Sequence, residues 1–166
     1  VHGQVTRGME LTSLYDDIQR GGSRAETTVV SFGNNPANAH VAQSLGVPTG
    51  TVVTESIRIR YADKIPMAVL HNWIPHSIGT LTKEELDGKG LYQILRERGF
   101  VPQVGKQRIS ARKVTQAEAK ELDIESGAAV LTMERTAYDS MGRAIEHGEH
   151  IYRTDLYSLE FTVVNK

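Results

Sequence analysis

Hydrophobic positions along the chain follow two periods. Leu11, Leu14, Tyr15 and Ile18 recur at three- and four-residue intervals and predict a helix that Gly21-Gly22 ends. Thr27–Phe32 is β-branched and aromatic and predicts a strand. Asn35-Pro36 reads as an N-cap followed by proline at the first helical position. The short helix it opens carries Val41 and Leu45 and stops at Gly46. After a turn over Val47-Pro48-Thr49-Gly50, Val52–Tyr61 predicts a long strand. Ala62–Ile65 is a hairpin turn, and Pro66–Ile74 is the returning strand, closed by Pro75. Thr82-x-x-Glu85 has the capping-box spacing of a helix start. Leu91, Ile94 and Leu95 mark a further helix ended by Gly99, and Gln107–Arg112 a strand. Thr115-x-x-Glu118 repeats the capping box before a helix bearing Ala119 and Leu122. Ala129–Tyr138, a turn over Asp139–Arg143 and Ala144–Arg153 form a second hairpin. Leu156–Val164 predicts a last strand with Tyr157, Leu159, Phe161 and Val163 on one face.

The pattern repeats itself. At an offset of 77 positions, Leu45 meets Leu122, Gly50 meets Gly127, Val53 meets Val130, Arg58 meets Arg135 and Tyr61 meets Tyr138. One further residue in the second turn aligns Pro66 with Ala144. Fixed-order self-similarity of this kind indicates a duplicated supersecondary unit, here strand, short helix, turn and long hairpin. Two copies are too few for a solenoid and should pack in one domain, with a pocket between them as the first place to look for function. Hairpins favour antiparallel pairing, and strands mixed with short helices without βαβ alternation give an α+β fold, helices packed on an antiparallel sheet.

Composition narrows the function classes. The 166 residues suffice for one domain with a core. A net charge of −1 lacks the basic footprint of a nucleic-acid-binding surface. No apolar run approaches the roughly 18 residues of a membrane span, and no signal peptide opens the chain. The absence of cysteine excludes disulfides and thiolate metal sites. Cytoplasmic residence fits these features. The chain begins at Val1 without an initiator Met and reads as a fragment of something larger.

Arg58 and Arg60 lead the candidate chemistry. Two residues apart on a strand, they share a face, while Ile57, Ile59 and Tyr61 point the other way. Paired guanidiniums form a forked donor set suited to phosphate or carboxylate. Glu146-His147-Gly148-Glu149-His150 has the residue types of a metal cluster. Alternation, however, sends His147 and Glu149 to one side and Glu146 and His150 to the other, so no metal site is expected. Glu146 and Tyr152 share a face. Arg135 beside Glu134 reads as a structural ion pair, Trp73 as a core or interface residue, and His71 and His76 as surface or turn residues. No GxSxG elbow, Gly-rich phosphate loop or cysteine nucleophile is present, so no catalytic set and no cofactor are expected. Glu84-Glu85 sit in a first helical turn, where they complement the helix dipole.

The run from VAQSLGVPTGTVV through SIRIRYADKIPMAV to HNWIP resembles the first half of a UTRA domain, the effector-binding domain of GntR-family regulators of the HutC type. The second half is similar too, from GLYQILRERG through AEAKELDIESGAAVLTMERTAYDSMGRAIEHGEHIYRTDLYSLEF. Tyr152-Arg153-x-Asp155-x-Tyr157 resembles the family's ending, with Thr154 in place of the usual Gly. The resemblance spans roughly Leu11 to Val164. It implies a chorismate lyase-like sheet flanked by helices, a homodimer, and a sensor of a small anionic effector such as a sugar phosphate or carboxylate. Residues 1–10 would be a linker remnant or N-terminal arm and 11–166 the ligand-binding and dimerisation domain. The regulator, a repressor, would meet DNA only through a winged helix-turn-helix domain absent from this chain. Carried over residue by residue, Arg58 and Arg60 would contact the anion, with Glu146 and Tyr152 facing the ligand. Two ligand-side positions depart from the family: Leu70 stands where Glu is frequent, and Gly90 where a Ser opens the mid-chain helix. Gly90 offers a backbone N–H but no hydroxyl. The alternative is a lyase-type enzyme on the same fold, since one fold hosts unrelated functions.

Overall fold

The computed structural model describes residues 5–7, 11 and 14–166. Its frame is a six-stranded antiparallel sheet. The strands are β2 (Ala25–Pro36), β3 (Val52–Ala62), β4 (Ile65–Pro75), β5 (Val104–Lys113), β6 (Ala129–Tyr138) and β7 (Ala144–Arg153), in the order β2-β3-β4-β7-β6-β5. The order is a palindrome about the β4–β7 pair. Two short strands, β1 (Val5–Arg7) and β8 (Tyr157–Leu159), pair in parallel apart from it. The helices are α1 (Leu14–Arg20), α2 (Ala39–Leu45), α3 (Lys83–Gly88), α4 (Leu91–Glu97) and α5 (Gln116–Leu122), with a 3-10 turn over His76–Ile78.

Local chemistry explains most boundaries. Thr82 and Thr115 each close a full capping box with Glu85 and Glu118. The β3–β4 hairpin turns through Asp63 and Lys64, both at positive φ. That geometry follows the right-handed twist of the flanking strands. Helix α2 ends on Gly46 in the left-handed conformation, its N–H returning to Ala42 and Gln43. The start of α2 is where expectation and structure differ. Pro36 does not open the helix; it closes β2, paired with Val52, and Asn38 caps α2 by accepting from the Val41 N–H. A proline is tolerated there because β2 is an edge strand. The last strand is also shorter than its alternation suggests. Only Tyr157–Leu159 pairs, and Phe161 and Val163 are exposed. Of the arm at residues 1–10, Val5–Arg7 form β1 and the others lie outside the described residues, as do Thr12 and Ser13 ahead of α1.

The sheet buries both faces. On one, Leu14 and Ile18 of α1, Leu86 of α3 and Leu91, Ile94 and Leu95 of α4 pack over β2, β4 and β6. On the other, Val41, Ala42 and Leu45 of α2 cover Val53 and Trp73, and Ala119 and Leu122 of α5 cover Ile59, Val69, Val130 and Ile151. Among the described residues no helix is long and apolar enough to cross a membrane.

Candidate functional site

Register assembles a polar floor on the α1/α4 face. Arg58 on β3 sits opposite Leu70 on β4, which sits opposite His150 on β7 and then Met133 on β6. One rung along, Ser56, Asn72, Gly148 and Arg135 align. Arg60, Ala68 and Tyr152 form the rung on the other side. Over this floor close Leu14 from α1 and Leu91 and Tyr92 from α4, leaving a cavity of about 40 Å³ between them. Arg58, Arg60, Leu70, Glu146 and Tyr152 all line this space. Gly90 does not; it is the buried N-cap of α4, and its two successors are the lining residues.

The burial of charge here is extreme. Arg58 and Arg60 are 2% and 1% exposed, and Glu146 is 1% exposed. A buried ion survives only when paired or hydrogen-bonded, and part of that requirement is met. Arg58 Nη2 donates to Asn72 Oδ1 at 2.9 Å, Asn72 Nδ2 donates to Glu146 Oε1 at 2.8 Å, and the Tyr92 hydroxyl donates to Glu146 Oε2 at 3.3 Å. Arg135 donates to the same Tyr92 hydroxyl at 3.3 Å and to Gln107 at 3.1 Å. Arg60 bonds Thr27 and lies over the Tyr15 ring, 5.1 Å from its centroid. The chain of bonds thus runs from Arg58 through Asn72, Glu146 and Tyr92 to Arg135.

The rest of the requirement is unmet. Arg58 Nε and Nη1, Arg60 Nε and Ser56 Oγ are buried with no hydrogen-bond partner among the described residues. Burial lowers the Arg58 guanidinium to about 10 against the pull of Glu146. Burial and the like charge of Arg58 push Arg60 well below the usual arginine range. Burial also raises Glu146. Three guanidiniums face one carboxylate across this pocket, a cationic surplus with donors aimed inward. The glycine of the floor keeps the space open. A Cβ on Gly148 would stand 2.7 Å from Glu146 Oε1 and 2.6 Å from His150 Nε2.

Two residues of this network, Asn72 and Tyr92, escape the sequence reading, and a third, Arg135, is misread by it. Asn72 lies two positions beyond Leu70 on the same strand face, so alternation alone points to it. Tyr92 has no such signal, because on a helix it resembles any core aromatic. Arg135 is a correction. Adjacent residues on a strand face opposite ways, so Arg135 cannot pair with Glu134 and enters the pocket instead; its alignment with Arg58 is the signal. His71 is likewise neither isolated nor a plain surface residue. It stacks on Trp73 at 3.8 Å and pairs with Glu55. On the opposite face a wider groove is lined by Ile57, Val69, Arg112, Glu118 and Ile151. Part of its charge is matched within it, with Arg112 forked onto Glu118 at 2.7 and 2.8 Å.

A closed, cationic pocket under short helices on a six-stranded antiparallel sheet belongs to a class, the effector-binding domains of transcriptional regulators. Within that class the chain belongs to the UTRA domain family, whose model matches residues 20–158. It is 28% identical over 149 residues to the transcriptional repressor NagR of Bacillus subtilis, covering 89% of this chain and 61% of that protein. It is 31% identical over 117 residues to the transcriptional regulator GgaR of Escherichia coli, covering 70% of this chain and 46% of that protein. The chain thus spans about half to three-fifths of these relatives. A transcriptional regulator from Streptomyces coelicolor superposes with a TM-score of 0.80 at 39% identity, over 87% of this chain and 97% of the other. The effector domain of PhnF from Mycobacterium smegmatis shares the fold with a TM-score of 0.86, over 97% and 100% of the two chains, at 20% identity. The relatives are regulators and not enzymes, which removes the lyase-type alternative.

Proposed function

We propose that this domain senses a small anionic metabolite, of the sugar phosphate or carboxylate class, for a cytoplasmic transcriptional repressor. The observation that carries the reading is the pair of buried guanidiniums with unmet donors, Arg58 Nε and Nη1 and Arg60 Nε. An anion between them satisfies those donors and offsets the cost of burying two like charges. Glu146, Tyr152 and Arg135 frame the remainder of the ligand, and Leu70 gives the floor an apolar strip. One relative is named as a transcriptional repressor of a fructoselysine utilization operon, which puts sugar-derived anions first in a ligand panel. Helix α2 begins at Ala39 and α5 at Gln116, 77 positions apart. That spacing supports two related units whose inward polar groups have diverged. The protein acts as a homodimer, and DNA is met by a winged helix-turn-helix domain preceding residues 11–166. Ligand shifts the regulator between conformations in proportion to its preference for one of them.

Thermal shift against sugar phosphates and carboxylates, repeated with the Arg58→Ala/Arg60→Ala double variant, tests the assignment. A ligand that raises the wild-type melting temperature should leave the variant unmoved. Equal stabilisation of both proteins would show that the arginines do not hold it.

A further inference from the structure

A second polar cluster lies on the opposite face of β7, outside the anion pocket. His147 and Glu149 of β7, Glu134 of β6 and His40 of α2 converge so that one donor atom from each lies within 4.8 Å of all the others. His147 Nε2 stands 3.6 Å from Glu134 Oε1 and 3.5 Å from Glu149 Oε1, and His40 Nε2 stands 3.6 Å from Glu149 Oε1. His40 also contacts Glu134 directly. Alternation does split the Glu146–His150 run, as the sequence predicts. The missing ligands come from a neighbouring strand, where Glu134 pairs with Glu149, and from the helix laid over both.

We infer that His40, Glu134, His147 and Glu149 form a binding site for a divalent transition-metal ion, zinc foremost. Four-coordinate zinc takes imidazole nitrogen and carboxylate oxygen at roughly 2.0–2.1 Å, which sets ligand-to-ligand edges of roughly 3.4 Å in a tetrahedron. The three cross distances above approach that edge. The two imidazole rings meet at 78° with centroids 5.6 Å apart, edge to face, as two ligands of one ion do.

The surroundings of His147 supply an independent reason. Its ring is 1% exposed, and Nδ1 lies 2.8 Å from Thr136 Oγ1. In the tautomer that donates Nδ1–H to that hydroxyl, Nε2 presents a lone pair toward two carboxylate oxygens. Three acceptors then face one another, an arrangement that a cation between them relieves. Metal-bound histidines are oriented by such a partner on the second nitrogen. Two carboxylates also neutralise a divalent ion, so binding leaves no net charge beside Trp73, whose ring lies 5.8 Å from that of His147. The ion would fasten α2 to β6 and β7.

The test uses the whole chain without a polyhistidine tag, stripped with EDTA, titrated with zinc chloride by calorimetry and with cobalt chloride by visible absorption. One zinc ion per chain and the ligand-field bands of four-coordinate cobalt are expected. His40→Ala, at a position 58% exposed in its side chain, should keep the fold and weaken zinc at least about tenfold, and Thr136→Val by about tenfold through His147. Glu149→Gln, which preserves shape, should remove the cobalt bands. Zinc bound equally by wild type, His40→Ala and Glu149→Gln, or no binding by the folded wild type, overturns the site and leaves a set of ion pairs.

Discussion

Arg58 and Arg60 hold positive charge where burial opposes it, and their pKa directions record the conflict. A charge kept against its own solvation serves binding better than folding. Replacing Arg60 by Met removes the buried charge and its repulsion with Arg58 while retaining side-chain bulk. The ligand-free protein should then gain about 1 kcal/mol in unfolding free energy, read from urea midpoints, and lose its response to the anion. A destabilised Arg60→Met protein would show that Thr27 and Tyr15 already satisfy the guanidinium. At this scale the sequence was partly legible. Arg58 and Arg60 were visible because charge on one parity of an apolar strand is conspicuous. Asn72 and Tyr92 were not legible and Arg135 read as an ion pair, since a neutral amide, a helical aromatic and an arginine beside a glutamate each have an ordinary explanation until register brings them together.

The elements follow local chemistry where that chemistry is short-ranged. Both capping boxes and both long hairpins were legible because their determinants lie within a few residues of one another. The end of β2 was not, because Pro36 pairs across the sheet with Val52, and the extent of β8 depends on β1, some 150 positions away. Helix α5 offers an element-level check. Glu118 completes its capping box and takes the Arg112 fork, and that fork, with the Thr115 hydrogen bonds, holds its carboxyl down to about 2. A depressed carboxylate gives stability that is present above its unfolded value and lost as the pH falls through the folded one. The denaturation midpoint should therefore drop between pH 4.5 and 2, with a smaller drop in Arg112→Ala. Thr115→Ala should cost about 1 kcal/mol at neutral pH through the lost cap.

Across the whole molecule, the sheet separates two chemistries onto two faces, with the arginine-lined pocket roofed by α1 and α4 and the histidine–glutamate cluster roofed by α2. For the proposed effector to reach this space, α1 and α4 form the roof that has to open. Effector binding should slow amide exchange in α1 and α4 more than in the central strands β3, β4 and β7, measured by hydrogen–deuterium exchange. Uniform slowing throughout the sheet would instead indicate global stabilisation without a moving roof. The palindromic strand order places β7 beside β4 at the centre, where Glu146, His150 and Tyr152 line one face with Gly148 in register between them, His147 and Glu149 serve the other, and Ile151 enters the core beneath α5. Loss of one codon in this stretch would therefore do more than shorten a strand. It would exchange the two parities, turning His147 and Glu149 toward the guanidinium-lined cavity and Glu146 and His150 away from it, so a single frame-preserving deletion would erase both faces at once while leaving the amino-acid composition almost untouched.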